Sequence, residues 1–169
     1  SLDQANDSLE VNLKIPEVKT CDSSLQVSSH NLDPGQSASN SFTLSNTGNT
    51  AWTVSAFAMS PGLDVSDWVD FETPTSRLLS EPGGSQDTTT FDFQITPDDS
   101  VEPGTVDVYI QGRAGSNVGC ETLLRVNLGQ VHDASLSLSD PTVSNVEPGT
   151  SETIAMQVTN TGNGQDNFA

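Results

Sequence analysis

Four carboxylates, Asp64, Asp67, Asp70 and Glu72, fall around Trp68, and a second group, Asp98, Asp99 and Glu102, crowds another stretch. Ca²⁺ takes six to eight oxygen ligands, which acid-rich loops can supply, although neither spacing matches the EF-hand loop. A Ca²⁺ site at Asp64, Asp67, Asp70 and Glu72 is therefore one expectation, set against solvated acids in a negative chain. Cys21 and Cys120 are the two cysteines. They share the parity of the apolar residues beside them, so both should lean inward; a bond between them would close a loop of about 100 residues, with two buried free thiols as the alternative. Such a disulfide implies an oxidising compartment. Asn6-Asp7-Ser8 is an Asn-x-Ser sequon, a glycan acceptor in a secreted chain.

Catalytic chemistry finds little to work with. His30 and His132 are the two histidines, and each falls at a strand end or a junction. There is no Gly-x-Ser-x-Gly elbow, His-Glu-x-x-His, Cys-x-x-Cys or phosphate-binding glycine loop. The expectation is a protein that is not an enzyme and has no cofactor beyond the candidate Ca²⁺.

The balance of 23 acidic against 5 basic residues in 169, a net charge of -18, argues against nucleic acid, whose affinity for proteins comes from lysine and arginine on phosphates. It argues equally against anionic lipid. No run of 18 apolar residues occurs, so membrane insertion is not expected in this segment. Serine and threonine together number 41, so the polar surface is largely hydroxyl, as suits an extracellular or salty setting. With neither an initiator methionine nor a signal-like start, the chain reads as a mature product or a part of something longer.

What must position these residues is a set of short strands, because apolar residues recur with period two between turn signals. The inward sets are Leu25 and Val27; Phe42 and Leu44; Trp52, Val54 and Ala56; Phe91, Phe93 and Ile95; Val106, Val108 and Ile110; and Leu124, Val126 and Leu128. Asp33-Pro34-Gly35, Pro61-Gly62, Glu81-Pro82-Gly83-Gly84 and Glu102-Pro103-Gly104 punctuate them, with proline presetting the first turn torsion and glycine taking the positive one. This pattern predicts an all-β, antiparallel β-sandwich of about seven strands, with Trp52 as core filler and Trp68 as an edge plug in preference to a sugar-stacking ring.

The chain also repeats itself. Leu9-Glu10-Val11-Asn12-Leu13 matches Leu124-Arg125-Val126-Asn127-Leu128 at an offset of 115, and the block from Asp22 matches that from Asp133 at 111. Asp33-Pro34-Gly35 through Asn46-Thr47-Gly48-Asn49 matches Glu147-Pro148-Gly149 through Asn160-Thr161-Gly162-Asn163 at 114. Three ordered blocks at nearly one offset mark an array. The expected parse is the last strand of a preceding unit plus linker over 1–20, a complete unit over 21–130, and the first two strands of a following unit over 131–169. The Asn-Thr-Gly-Asn blocks read as structural turns, in which Asn and Gly accept left-handed torsions. Aligned by these blocks, Cys21 falls on His132 and Cys120 on Ala5, so the neighbouring units lack the pair.

The order of strands, Pro-Gly turns and Asn-Thr-Gly-Asn strand ends over about 21–130 resembles immunoglobulin-like cell-surface repeat domains. The nearest are the NPCBM-associated, α-galactosidase-linked type and the CARDB cell-adhesion type of archaeal and bacterial secreted proteins. The resemblance implies extracellular spacer, adhesion or carbohydrate-associated roles and brings no catalytic residues. Its implied partners are other copies or adjacent repeats of the same protein, wall polysaccharide or another cell surface. A self-assembling filament that exchanges strands, and an accessory module of a glycosidase, are the alternatives.

Overall fold

The computed structural model describes residues 10–138 and 147–167. Eleven strands form in those residues: β1 (Cys21–Leu25), β2 (Ser29–Leu32), β3 (Ala38–Asn46), β4 (Trp52–Met59), β5 (Val69–Phe71), β6 (Ser76–Leu79), β7 (Thr88–Ile95), β8 (Gly104–Ala114), β9 (Asn117–Leu128), β10 (Ala134–Leu138) and β11 (Met156–Asn160). They make a four-stranded sheet in the order β1-β3-β7-β5, a five-stranded sheet in the order β2-β9-β8-β4-β6, and the separate pair β10-β11. All pairings are antiparallel except β2 with β9. The architecture is an all-β, immunoglobulin-like sandwich.

Period-two alternation puts one face of each larger sheet into a shared core. Phe42, Leu44, Phe91, Phe93 and Ile95 from the first sheet meet Trp52, Val54, Val108, Ile110, Leu124 and Val126 from the second. Trp68 is buried with them as a plug. On the opposite face of the four-stranded sheet the hydroxyls pair across strands: Ser41 Oγ donates to Asp92 Oδ1 (2.6 Å), Thr43 and Thr90 share a hydrogen bond (2.9 Å), and so do Ser45 and Thr88 (3.0 Å).

The sandwich has nine strands, more than the expected seven, for two reasons. The first strand splits, because Asn40 bonds both backbone groups of Val27, accepting from its N–H (3.1 Å) and donating to its carbonyl (2.7 Å). That interrupts the ladder, so β1 stays with β3 while β2 crosses to pair with β9, and Val27 is exposed, not inward. In addition β5 and β6, of three and four residues, are too short to show a period.

Cys21 and Cys120 form a disulfide, with Cα atoms 5.1 Å apart, that joins β1 of one sheet to β9 of the other. A hydrogen bond between Ser23 and Thr122 (2.6 Å) lies beside it. The strand expected over 9–13 is not present: Leu9 lies outside the described residues, and 10–20 has no ladder partner. Val11, Leu13 and Ile15 are exposed there. Alternation alone does not make a strand without a neighbour to take its backbone hydrogen bonds.

His30 sits beside Asn40, whose Nδ2 donates to its Nε2 (3.2 Å), so this ring nitrogen must be the unprotonated acceptor. Burial lowers the His30 pKa from its ordinary 6.5. The unfolded chain then takes up a proton before the folded one does, so this contribution to stability is complete above pH 6.5 and declines as pH falls below it. In urea melts at pH 7.5 and 5.0, wild type is expected to lose more stability on acidification than His30→Gln; equal losses would contradict this.

Candidate functional site

Two copies of one small device hold the segments that lead into β1 and β10. In the first, the turn after β3 is closed by Asn46, whose Nδ2 donates to the Thr50 carbonyl (2.9 Å) and whose Oδ1 accepts from the Gly48 N–H (2.9 Å). In the second, after β11, Asn160 does the same to the Gly164 carbonyl (2.6 Å) and the Gly162 N–H (2.9 Å). So shaped, each turn offers its next residues to a passing chain. The Thr47 N–H donates to the Thr20 carbonyl, and the Thr161 N–H to the Asp133 carbonyl, both at 3.0 Å.

The second asparagine of each block grips that chain from both sides. Asn49 Oδ1 accepts from the Val18 N–H (2.7 Å) while its Nδ2 donates to the Pro16 carbonyl (3.0 Å). Asn163 Oδ1 accepts from the Val131 N–H (2.7 Å) while its Nδ2 donates to the Gly129 carbonyl (3.0 Å). Threonine adds a third hold: Thr47 Oγ1 bonds Thr20 Oγ1 (3.2 Å), and Thr161 Oγ1 donates to Asp133 Oδ2 (2.8 Å).

The role of the glycines differs from the expected one. Gly35 (φ 73°) and Gly149 (φ 88°), in the Asp33-Pro34-Gly35 and Glu147-Pro148-Gly149 turns, do take the positive torsion. Gly48 and Gly162 do not; they are glycine because the held chain comes too close. A Cβ on Gly48 would lie 2.0 Å from the Val18 carbonyl oxygen, and one on Gly162 would lie 2.1 Å from that of Val131. Backbone atoms cannot give way as a flexible side chain would.

The two copies differ in their outer contacts: Asn46 Nδ2 also donates to the Ser80 carbonyl (2.6 Å) within the sandwich, whereas the second copy reaches back to it. Asn163, itself buried, also donates from Nδ2 to the Val101 carbonyl (2.9 Å) in the loop between β7 and β8. That bond ties the turn after β11 to the far end of the sandwich, forming a cleft of about 740 Å³ lined by Asp99, Glu102 and Pro103 on one side and by 160–165 on the other. Gln130 Nε2 adds bonds to the Gln165 carbonyl (3.0 Å) and Asp166 Oδ1 (3.1 Å), and His132 Nδ1 contacts the same Asp166 oxygen.

The register corrects the alignment of the cysteines. Cys21 opposes Asn46 and Ala134 opposes Asn160, so Cys21 corresponds to Ala134, not His132. Ala5 and the sequon at Asn6 lie outside the described residues.

The acidic cluster does not converge. Asp64 accepts from the Ser66 N–H (3.0 Å), and the backbone and hydroxyl bonds of Ser66 hold its carboxyl below the ordinary range. Asp67 is exposed in the next turn, and Asp70 and Glu72 lie along a shallow groove with Asp92 on the four-stranded sheet. Among the described residues no group of three or more His, Cys, Asp or Glu side chains is placed to hold a metal ion. The physical reason is that β5 places Asp70 on a sheet and Glu72 follows directly, its N–H bonded to the Asp92 carbonyl (2.9 Å), away from the loop that holds the first two.

No family model matches the chain, and no curated protein matches it. Among solved structures, it is similar to domains 4 and 5 of the S-layer protein SbsC, at 17% identity over 73% of this chain and 59% of that one, with a TM-score of 0.41. A PapD-like domain of human CEP192 is similar at 16% identity over 74% of this chain and 92% of that one (TM-score 0.34). A family 123 glycoside hydrolase from Clostridium perfringens is similar at 10% identity over 64% and 27% (TM-score 0.40). None of these reaches a TM-score of 0.5, and the fold described above rests on the strand pairing itself.

Proposed function

We propose that this chain is a non-catalytic, extracellular structural module from a tandem array in a cell-surface or secreted protein, and that its Asn-Thr-Gly-Asn turns fix the direction in which each unit leaves the one before. The observation that carries this is the recurrence of the same holds, Asn49 on 16–18 and Asn163 on 129–131, at one spacing along the chain. The units are the 21–130 sandwich, the segment before it, and the β10-β11 pair that repeats the β1-β3 register. The disulfide supports an oxidising compartment. Adjacent units of the same protein are the partners of this reading, with polysaccharide or another cell surface as the target such a spacer would present.

Asn163→Ala removes the bonds to Val131, Gly129 and Val101 together. In ¹⁵N relaxation the order parameters of β10 and β11 are expected to fall from about 0.85 towards 0.6 or lower, while the melt of the sandwich stays in place. Unchanged order parameters would contradict a fixed junction.

A second reading, a filament that exchanges strands, has its own observation. Met156 and Val158, at 66% and 51% exposure, leave the apolar side of the β10-β11 pair bare, and Val11 and Leu13 repeat the alternation of the buried Val126 and Leu128. Concentration-dependent association lost in Met156→Glu would favour it.

A further inference from the structure

The two outer sheet faces of the sandwich differ sharply. The four-stranded face carries serine, threonine, glutamine and aspartate whose hydroxyls pair with one another, and no cation. The five-stranded face carries Phe57 and Met59 on β4, Tyr109, Gln111 and Arg113 on β8, and Glu121 and Leu123 on β9, all on the parity opposite to the core. Phe57 and Met59 are 42% and 38% exposed.

These residues are already held in place. Arg113 stacks over the Phe57 ring, 4.9 Å from guanidinium carbon to centroid, and its Nε donates to Gln111 Oε1 (2.8 Å). Gln111 is buried and donates in turn to Glu121 Oε2 (2.9 Å) and Met59 Sδ (3.2 Å). Little side-chain freedom is left to lose on contact, which lowers the cost of association. Phenylalanine, tyrosine, methionine and arginine are also the residues that fill interface centres.

We propose that this five-stranded face is a self-association surface, through which two copies of the chain pack side by side. Charge selects the occupant. At -18 overall, copies repel one another, but this face balances Arg113 and Arg125 against Glu121 and Asp107, with Arg125 and Asp107 paired at 3.3 Å. A face carrying both signs can meet itself across a two-fold axis with opposite charges opposed.

Sedimentation equilibrium at rising concentration, in 0.1 and 1 M NaCl, tests this. A weak dimer is expected that strengthens with salt, because added salt shortens the reach of the overall repulsion from about 10 Å to about 3 Å. Phe57→Glu is expected to weaken it at least about tenfold, and Met156→Glu to leave it unchanged. Arg113→Glu and Glu121→Arg should each weaken self-association, and a mixture of the two should restore it as a heterodimer. A monomer under all conditions would overturn the proposal, as would association indifferent to Phe57→Glu or lost in Met156→Glu. So would a monomer that instead sediments with insoluble cellulose through Phe57. None of these outcomes bears on the Asn163 junction.

Discussion

Replacing both Cys21 and Cys120 by serine is expected to lower the unfolding free energy of the sandwich by roughly 4–5 kcal/mol. The bond spans 99 residues, and a loop of about 100 residues loses that much denatured-state freedom in the chain-entropy model. At roughly 4 °C per kcal/mol for a domain of about 100 residues, the melting temperature should drop by about 15–20 °C. The bridge runs between sheets, so its removal also releases β1, an edge strand held otherwise by β3 and the Ser23–Thr122 bond. Reductant added to the wild type should produce the same shift. A change of less than about 1 kcal/mol would show that the denatured chain gains little freedom from the break.

The second large effect separates two residues at one register position. Phe42 opposes Leu25 and Met156 opposes Leu138, in ladders that otherwise match pair for pair. Phe42 is fully buried in the core, so Phe42→Ala removes a packed ring and leaves a cavity, at a cost of about 3–5 kcal/mol. Met156 is exposed, with no sheet over it among the described residues, and Met156→Ala should change the stability of the chain by less than about 0.5 kcal/mol. Denaturant titrations of the two variants measure the contrast directly. Similar losses would mean that the β10-β11 pair is packed against a core after all.

Much of the sandwich was legible in the sequence because a half-buried strand writes its two faces in alternate residues. Trp52, Phe91 and Val126 could be assigned inward from parity alone. Val27 could not, because the event that turns it outward is a bond from Asn40, a polar residue on another strand. The disulfide was legible as a pair, but its counterpart in the next unit was misplaced by two residues, since short serine-rich blocks align nearly as well in either frame. The Asn-Thr-Gly-Asn blocks were visible as a repeat and read as ordinary turns. Their action was hidden because Asn49 and Asn163 bind main-chain groups 31 and 32 residues away, and backbone partners carry no sequence signal. One sign was available: glycine at the third position in both blocks, which follows from a close approach as readily as from a left-handed torsion. The five-stranded outer face leaves no signal along the chain, because Phe57, Gln111 and Glu121 are neighbours only across strands.

The central claim, that these turns hold the connecting segments, is tested most directly by amide hydrogen exchange at Val18 and Val131. Neither residue lies in a strand, and each N–H is bonded to an asparagine side chain at 2.7 Å. Both amides should exchange more slowly than their exposed neighbours, with Asn49→Ala releasing Val18 alone and Asn163→Ala releasing Val131 alone. Exchange at unprotected rates in the wild type, or protection that survives the matching substitution, would contradict the account.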